Sequence, residues 1–365
     1  MEDLKKTCLY DKHVALGAKM SPFGGFMMPI EYDSIITEHN AVRNTAGMFD
    51  VSHMGEIFVS GPDAEKFVNH VFSNDVTALP AGKILYGMLL YPDGGVVDDL
   101  LVYRMSAADT WLLVVNAANI GKDEEWIRAQ TEGFDVTVNN DSESWGQIAL
   151  QGPKAECIAE RVLDMDVSDL TFYTFKEITW YDAPVIVSRT GYTGEDGFEF
   201  YASPETIVRM WDTLLSDAHV QPCGLGCRDT LRFEAGLPLY GHELSAEISP
   251  VMAGLGMFVK VDKAEFIGKD AIVAQKTDGV AKKVVGIELH DKAIPRAGYE
   301  VEADGKVIGV VTTGYHTIST DRSVCMALID RPYAALETEV DVRIRKKLFK
   351  ATVCKKKFYE KKYKK

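Results

Sequence analysis

No run of apolar residues in this chain is long enough to cross a bilayer as a helix, which takes about 20 residues. The amino terminus, Met1-Glu2-Asp3-Leu4-Lys5-Lys6, mixes acid and base and has no apolar signal core. A cytoplasmic protein with no membrane partner is expected. Positive charge is also short: 40 Lys and Arg face 54 Asp and Glu, a formal net charge of -14. Nucleic-acid binding relies on basic residues that neutralise phosphates, so the balance argues against DNA or RNA as a partner. Cysteine is sparse, six in 365 residues, and only Cys223 and Cys227 lie close together. They have no second pair and no histidine beside them, so reduced thiols without a metal are expected.

The length exceeds what one core of ordinary size fills, so two or three domains are expected. One unit recurs. The strand at 56–60 runs into Gly61-Pro62 and then an amphipathic helix with Phe67, Val68, Val71 and Phe72 on one face. Residues 147–151 repeat it, through Gly152-Pro153 to Ile158, Ala159 and Val162. A looser third copy runs from 199 through Ser203-Pro204 to Val208, Trp211 and Leu215. Proline suits the first helical position. Apolar spacings of three and four mark helices lying on sheets, so this part reads as α+β without strict alternation.

After Asp262 the pattern changes to short, β-branched segments at 284–289, 306–312, 324–328 and 339–344, which reads as a small barrel or sandwich. The expected division is 1–275 and 280–365, with the boundary in the polar stretch 275–279. The Lys-rich end, 355–365, reads as a solvated terminus or as a basic dock for an acidic partner.

The segment Val96-Val97-Asp98-Asp99-Leu100-Leu101-Val102-Tyr103 places two carboxylates inside an apolar run. Neighbouring strand residues point to opposite faces, so one acid faces the core unless this is a wet edge strand. The turn 188–199 carries three glycines, Tyr192 and three acids, Glu195, Asp196 and Glu199. It reads as an acidic ligand wall or as a mobile hairpin tip, with Glu199 opposite Phe198 and Phe200. A short helix from about Cys227 is stopped by Gly236 and Pro238 and puts Arg228 in its first turn, against the helix dipole. That placement asks for a carboxylate or a ligand, or else a solvated side chain. Asn116 ends an apolar strand. His53 has no nucleophile in a triad context and reads as a structural histidine bonded to backbone.

In order, Leu9-Tyr10-Asp11, Phe23-Gly24-Gly25-Phe26, Phe49-Asp50-Val51-Ser52-His53-Met54, GGVVDDLLVYR at 94–104, LQGP at 150–153, GYTGEDGFE at 191–199 and GCRDTLRFEAGLPLYGHEL at 226–244 resemble the glycine cleavage system T-protein family. The likeness covers nearly the whole chain. It is looser at 309–314, where Thr317-Ile318 stands in place of the family's Ser-Pro. The resemblance implies a multi-domain α+β folate-binding aminomethyltransferase fold with a C-terminal β-barrel. It implies transfer of the one-carbon unit from aminomethyl-dihydrolipoyl H-protein to tetrahydrofolate, a co-substrate, with no metal. By motif, Asp99 matches the aspartate beside the reacting nitrogen, Glu199 the carboxylate that pairs with the pterin, and Arg228 the arginine beside it. Tyr192, Asn116 and Met54 match pocket positions, and Tyr359 or Tyr363 the folate-contacting tyrosine. The alternatives are a demethylase-type relative and a non-catalytic folate-binding assembly factor.

Overall fold

The computed structural model describes residues 4–364. Two sheets face each other, each covered outside by helices. The five-stranded sheet runs Ile84–Leu90, Val96–Arg104, Thr110–Val115, Gly55–Ser60, Thr137–Asn140, antiparallel throughout. The helices Ala64–Val71 and Ile120–Ala129 cover it, with Phe67, Val68 and Ile127 packing on Ile57, Leu100 and Val102. The six-stranded sheet runs Phe175–Trp180, Ala183–Ser188, Gly197–Ala202, Gly146–Gln151, Ala46–Asp50, Val220–Pro222, and only the last pair is parallel. Its helices are Ala155–Leu163 and Pro204–Leu215, with Ile158, Met210 and Trp211 packing on Leu150, Phe198 and Phe200. Between the sheets, Ile84, Tyr103 and Leu112 meet Phe175, Ile186 and Tyr201.

The recurring unit thus supplies a core strand and its covering helix. Gly61 and Gly152 make its turn at φ 126° and 135°, where a side chain would lie 2.5 Å from the carbonyl oxygens of Asp135 and Thr45. Pro62 and Pro153 sit in the turn before helices that start at Ala64 and Ala155. Only Pro204 takes the start of its helix, behind Ser203, whose hydroxyl accepts from the Thr206 amide.

The barrel closes with six strands: Lys282–Leu289, Ser323–Asp330, Lys306–His316, Glu300–Ala303, Glu339–Ile344 and Lys347–Cys354. Glu300–Ala303 and Lys347–Cys354 escape the sequence pattern because Glu300, Glu302, Lys347 and Lys350 interrupt their apolar residues, while Val301, Ala351 and Val353 fill the interior. The polar stretch at 275–279 is the end of the helix Lys269–Asp278, stopped by Gly279 at φ 87°. Ile272 seats that helix on Met88 and Leu90.

Three expectations are corrected. The Val96–Arg104 strand is paired on both sides, so it is no wet edge. The 188–199 turn is no mobile tip: Thr190, Thr193 and Glu195 are buried. The C-terminal segment is not frayed, although Lys355, Lys357, Lys362 and Lys364 are exposed. Phe358 is buried against Phe233 at 5.1 Å between ring centres, its amide donates to Glu234 O at 3.0 Å, and the Lys362 amide donates to Gly194 O at 2.8 Å.

Candidate active site

A cavity of about 300 Å³ opens between the sheets. The five-stranded sheet contributes Tyr86, Asp99, Leu101, Val114 and the adjoining Asn116. Gln147, Glu199 and Tyr201 face them from the other sheet. Arg228, Tyr192, the 236–240 segment, Lys361 and Tyr363 complete much of the wall, and Met54 also lines it.

The paired aspartates divide as the pleat requires. Asp99 points into the cavity and is half-buried; its carboxylate accepts from the Tyr86 hydroxyl at 2.9 Å and from Asn116 Nδ2 at 3.1 Å. Asp98 is wholly buried on the opposite side, where Asn116 N, Asn116 Nδ2 and Asn119 Nδ2 donate to it at 2.9, 2.8 and 2.7 Å. Burial, and then the charge of Asp98, push Asp99 up to about 7. An acid titrating there exchanges protons readily at neutral pH. If the ionised form is the working one, kcat/KM rises with pH through about 7. A profile flat across that value, in the wild-type enzyme, contradicts the assignment.

Glu199 stands on the inner face of its strand, with Phe198 and Phe200 in the outer core. The Thr190 hydroxyl donates to it. Burial raises its pKa, against the pull of that hydrogen bond and of Arg228. The helix carrying Arg228 starts at Leu225, two residues earlier than the spacing suggests. Glycine at 224 permits this: a side chain there would sit 2.2 Å from Ile30 O. The Arg228 guanidinium lies 4.5 Å from the centre of the Tyr192 ring and makes no hydrogen bond or ion pair among the described residues. Burial lowers its pKa, and Tyr192 and Glu199 pull it back. A guanidinium without a partner beside a buried carboxylate is a ready-made site for a ligand that both donates and accepts.

Other expectations change. Of the three acids in the 188–199 turn, only Glu199 faces the cavity. Glu195 pairs with Arg43 at 3.1 Å, and Asp196 pairs with the buried Arg189. Two of the turn's glycines make room for Gln151: side chains at 191 and 197 would meet its amide at 1.9 and 2.5 Å, and of the two only Gly191 also lines the cavity. Tyr359 does not line the cavity. Its ring lies 3.8 Å from the Arg43 guanidinium and its hydroxyl donates to Glu195 at 2.6 Å. Tyr363 does line it, stacked on Phe172 with ring centres 4.2 Å apart. His53 is not bonded to backbone. It is buried edge-on to Phe23, 5.6 Å between ring centres, with Nδ1 unpartnered. Burial, and then Arg228, lower it to about 4. Glu38, Cys223 and Cys227 bring possible metal-ligand atoms within 4.8 Å of one another. The Glu38 oxygens already accept from the backbone amides of Tyr32 and Gly224 at 2.6 and 2.8 Å.

Tyr86, Gln147, Lys361 and Tyr363 are the site residues that motif reading passed over or left undecided. Tyr86 was accessible in principle: Met88 pairs with Asp99, so Tyr86 lies on the same face, one step along. A bulge between Leu89 and Leu90 breaks the count from the turn.

Architecture and cavity define an α+β small-molecule enzyme with an appended barrel. The chain matches the GCVT N-terminal domain over residues 9–263 and the Glycine cleavage T-protein C-terminal barrel domain over 282–360. It is 50% identical to the Aminomethyltransferase of Alkaliphilus oremlandii (strain OhILAs) over 100% of both chains. It is 51% identical to that of Lysinibacillus sphaericus (strain C3-41) over 98% of each. The crystal structure of glycine cleavage system aminomethyltransferase T from Bartonella henselae superposes with a TM-score of 0.95 at 33% identity, covering 100% of both chains. The chain belongs to the glycine cleavage T-protein family, the aminomethyltransferases of the glycine cleavage system. The demethylase-type and assembly-factor alternatives give way to relatives of that name along the full length. No helix among the described residues is long and apolar enough to cross a membrane.

Proposed function

We propose that the cavity between the sheets is the tetrahydrofolate site and that lipoylated H-protein delivers the aminomethyl group there. The products are 5,10-methylenetetrahydrofolate, ammonia and dihydrolipoyl H-protein. The observation that carries the reading is one cavity holding both a carboxylate near neutral pKa, Asp99, and a guanidinium without a partner, Arg228, next to Glu199. A pterin carries amino and ring N–H donors for Glu199 and acceptors for Arg228. Asp99 then holds the folate nitrogen in line with the methylene carbon and accepts its proton as the first C–N bond forms and ammonia departs; the second folate nitrogen forms the other C–N bond as the C–S bond breaks and the dihydrolipoyl sulfur takes up a proton. Asn116 and Tyr86 hold Asp99 in place. Tyr192 and Met54 furnish flat and apolar wall. The folate reading draws on residues 1–275 and, from the 280–365 region, on Lys361 and Tyr363.

The test is direct. The purified protein, supplied with aminomethylated H-protein and tetrahydrofolate, is expected to release ammonia and form methylenetetrahydrofolate together. Ammonia release indifferent to tetrahydrofolate and to H-protein contradicts the reading.

The basic end of the chain supports a second role. Lys361 and Tyr363 reach the cavity wall while Lys357, Lys362 and Lys364 lie toward the solvent. Ending the chain at Glu360 is expected to raise the KM for tetrahydrofolate about threefold to tenfold, the size of a lost aromatic contact. It is also expected to slow H-protein association at low salt and to flatten its salt dependence. Unchanged KM and unchanged association would return the segment to a purely structural role.

A further inference from the structure

One buried acid has no use in that chemistry. Asp123, in the helix Ile120–Ala129, is wholly buried, and neither carboxylate oxygen accepts a hydrogen bond among the described residues. Lys122 comes no nearer than 3.6 Å; its ammonium donates instead to Val97 O and, at 3.2 Å, to the Tyr240 hydroxyl. Asn119, one helical turn before Asp123, donates to Asp98 Oδ1 at 2.7 Å, which sets a second buried acid, Asp98, on the same side of the helix as Asp123. Two N–H donors fill Asp98 Oδ1 and one reaches Oδ2. A carboxylate has about four acceptor sites, so one remains open on Oδ2. Two ionised acids buried side by side, one without any donor, would be strongly unfavourable. A carboxylic acid O–H on Asp123 aimed at Asp98 removes the second charge and fills the open site in one step.

We propose that Asp123 is a positioning residue: it keeps its proton and donates it in a hydrogen bond to Asp98, which then fixes Asn116, and Asn116 presents its Nδ2–H to Asp99. The proposal rests on the reading of Asp99 as the carboxylate at the reacting nitrogen. The charged and titratable groups facing the pair are Asp99 from the same strand, Lys122 from the helix and Tyr240 from the 236–240 segment. Burial, and then Asp98, raise Asp123 to about 10, which agrees with a proton retained at neutral pH. With that O–H in place, the single negative charge of the pair is drawn toward Asp123 and away from Asp99. Without it, Asp98 acts on Asp99 undiluted, and Asp99 holds its proton to higher pH.

Two substitutions separate this from an ion pair with Lys122. Asp123→Asn keeps an N–H donor toward Asp98 and is expected to leave kcat within about twofold and the pH profile in place. Asp123→Leu removes the donor. It is expected to move the acid limb of kcat/KM up by about one pH unit while KM for tetrahydrofolate holds. An Asn variant as damaging as the Leu variant is what an ion pair predicts, and it overturns the proposal. Infrared difference spectra at neutral pH decide the proton's place without any assay, and without the Leu variant if that fails to fold. A carboxylic-acid carbonyl band present in the wild type and lost in Asp123→Asn supports the proposal; no such difference refutes it. Full turnover in Asp99→Asn would instead sink the reading of Asp99, and the infrared band would still report on Asp123.

Discussion

Asp99→Asn is expected to lower turnover by about 10²–10⁴-fold, the usual worth of a positioned acid or base, while tetrahydrofolate affinity stays within a few-fold. The amide keeps the size and one acceptor oxygen, so Tyr86 can still donate to it. What it loses is the charge and, with it, the proposed ability to take a proton from the folate nitrogen. Asp98→Asn is expected to show the reverse signature. Three N–H donors converge on Asp98, and an amide would answer them with one oxygen and set its own NH₂ among the rest. Unmet buried donors cost about 1–3 kcal/mol each, so this variant loses stability more than chemistry. Thermal unfolding and single-turnover rates on matched, folded variants separate the two. Greater damage to chemistry from Asp98→Asn would mean that the faces of the strand are assigned the wrong way round.

Glu199→Ala is expected to weaken tetrahydrofolate binding about tenfold to a hundredfold. A hydrogen bond to a charged, buried group is worth about 1.5–3 kcal/mol, which converts to that range. Removal also strands Arg228 without its neighbouring negative charge, so the loss should sit toward the upper end. Turnover at saturating folate should fall far less than in Asp99→Asn, since the proposal has Glu199 hold the substrate and Asp99 react with it. Calorimetry with the folded variant checks this, and unchanged affinity excludes Glu199 from the head-group site.

The sequence reading succeeded where local pattern determines the answer. The strand–turn–helix units, the β-rich C-terminal region, the opposite aims of Asp98 and Asp99 and the placing of Glu199 opposite Phe198 and Phe200 follow from periods of two and of three to four; that Asp99 is the inward acid came from the family resemblance. Asp99, Glu199, Arg228, Tyr192, Asn116 and Met54, drawn from distant stretches of chain, meet at one cavity. Reading failed where tertiary packing decides. Glu195 and Asp196 look like ligand groups in the turn, yet Arg43 and Arg189 arrive from elsewhere and take them. Gly197 looks like room for a ligand, and the room belongs to Gln151. Tyr359 and Tyr363 cannot be told apart by spacing. The Lys362 amide docks on Gly194 O, and that tie helps carry Tyr363 to the cavity while Tyr359 rests on Arg43. Glu300, Glu302, Lys347 and Lys350 interrupt the apolar residues of Glu300–Ala303 and Lys347–Cys354 and hide two barrel strands from a hydropathy pattern.

The central claim is that one cavity holds the folate with its reacting nitrogen at Asp99. A crystal structure of the protein soaked with tetrahydrofolate tests it most directly. The account predicts the pterin between Glu199 and Arg228, with the reacting nitrogen in hydrogen-bond reach of Asp99, about 2.6–3.2 Å. A pterin bound outside this cavity, or bound inside it with Asp99 facing the far end of the molecule, would contradict the account.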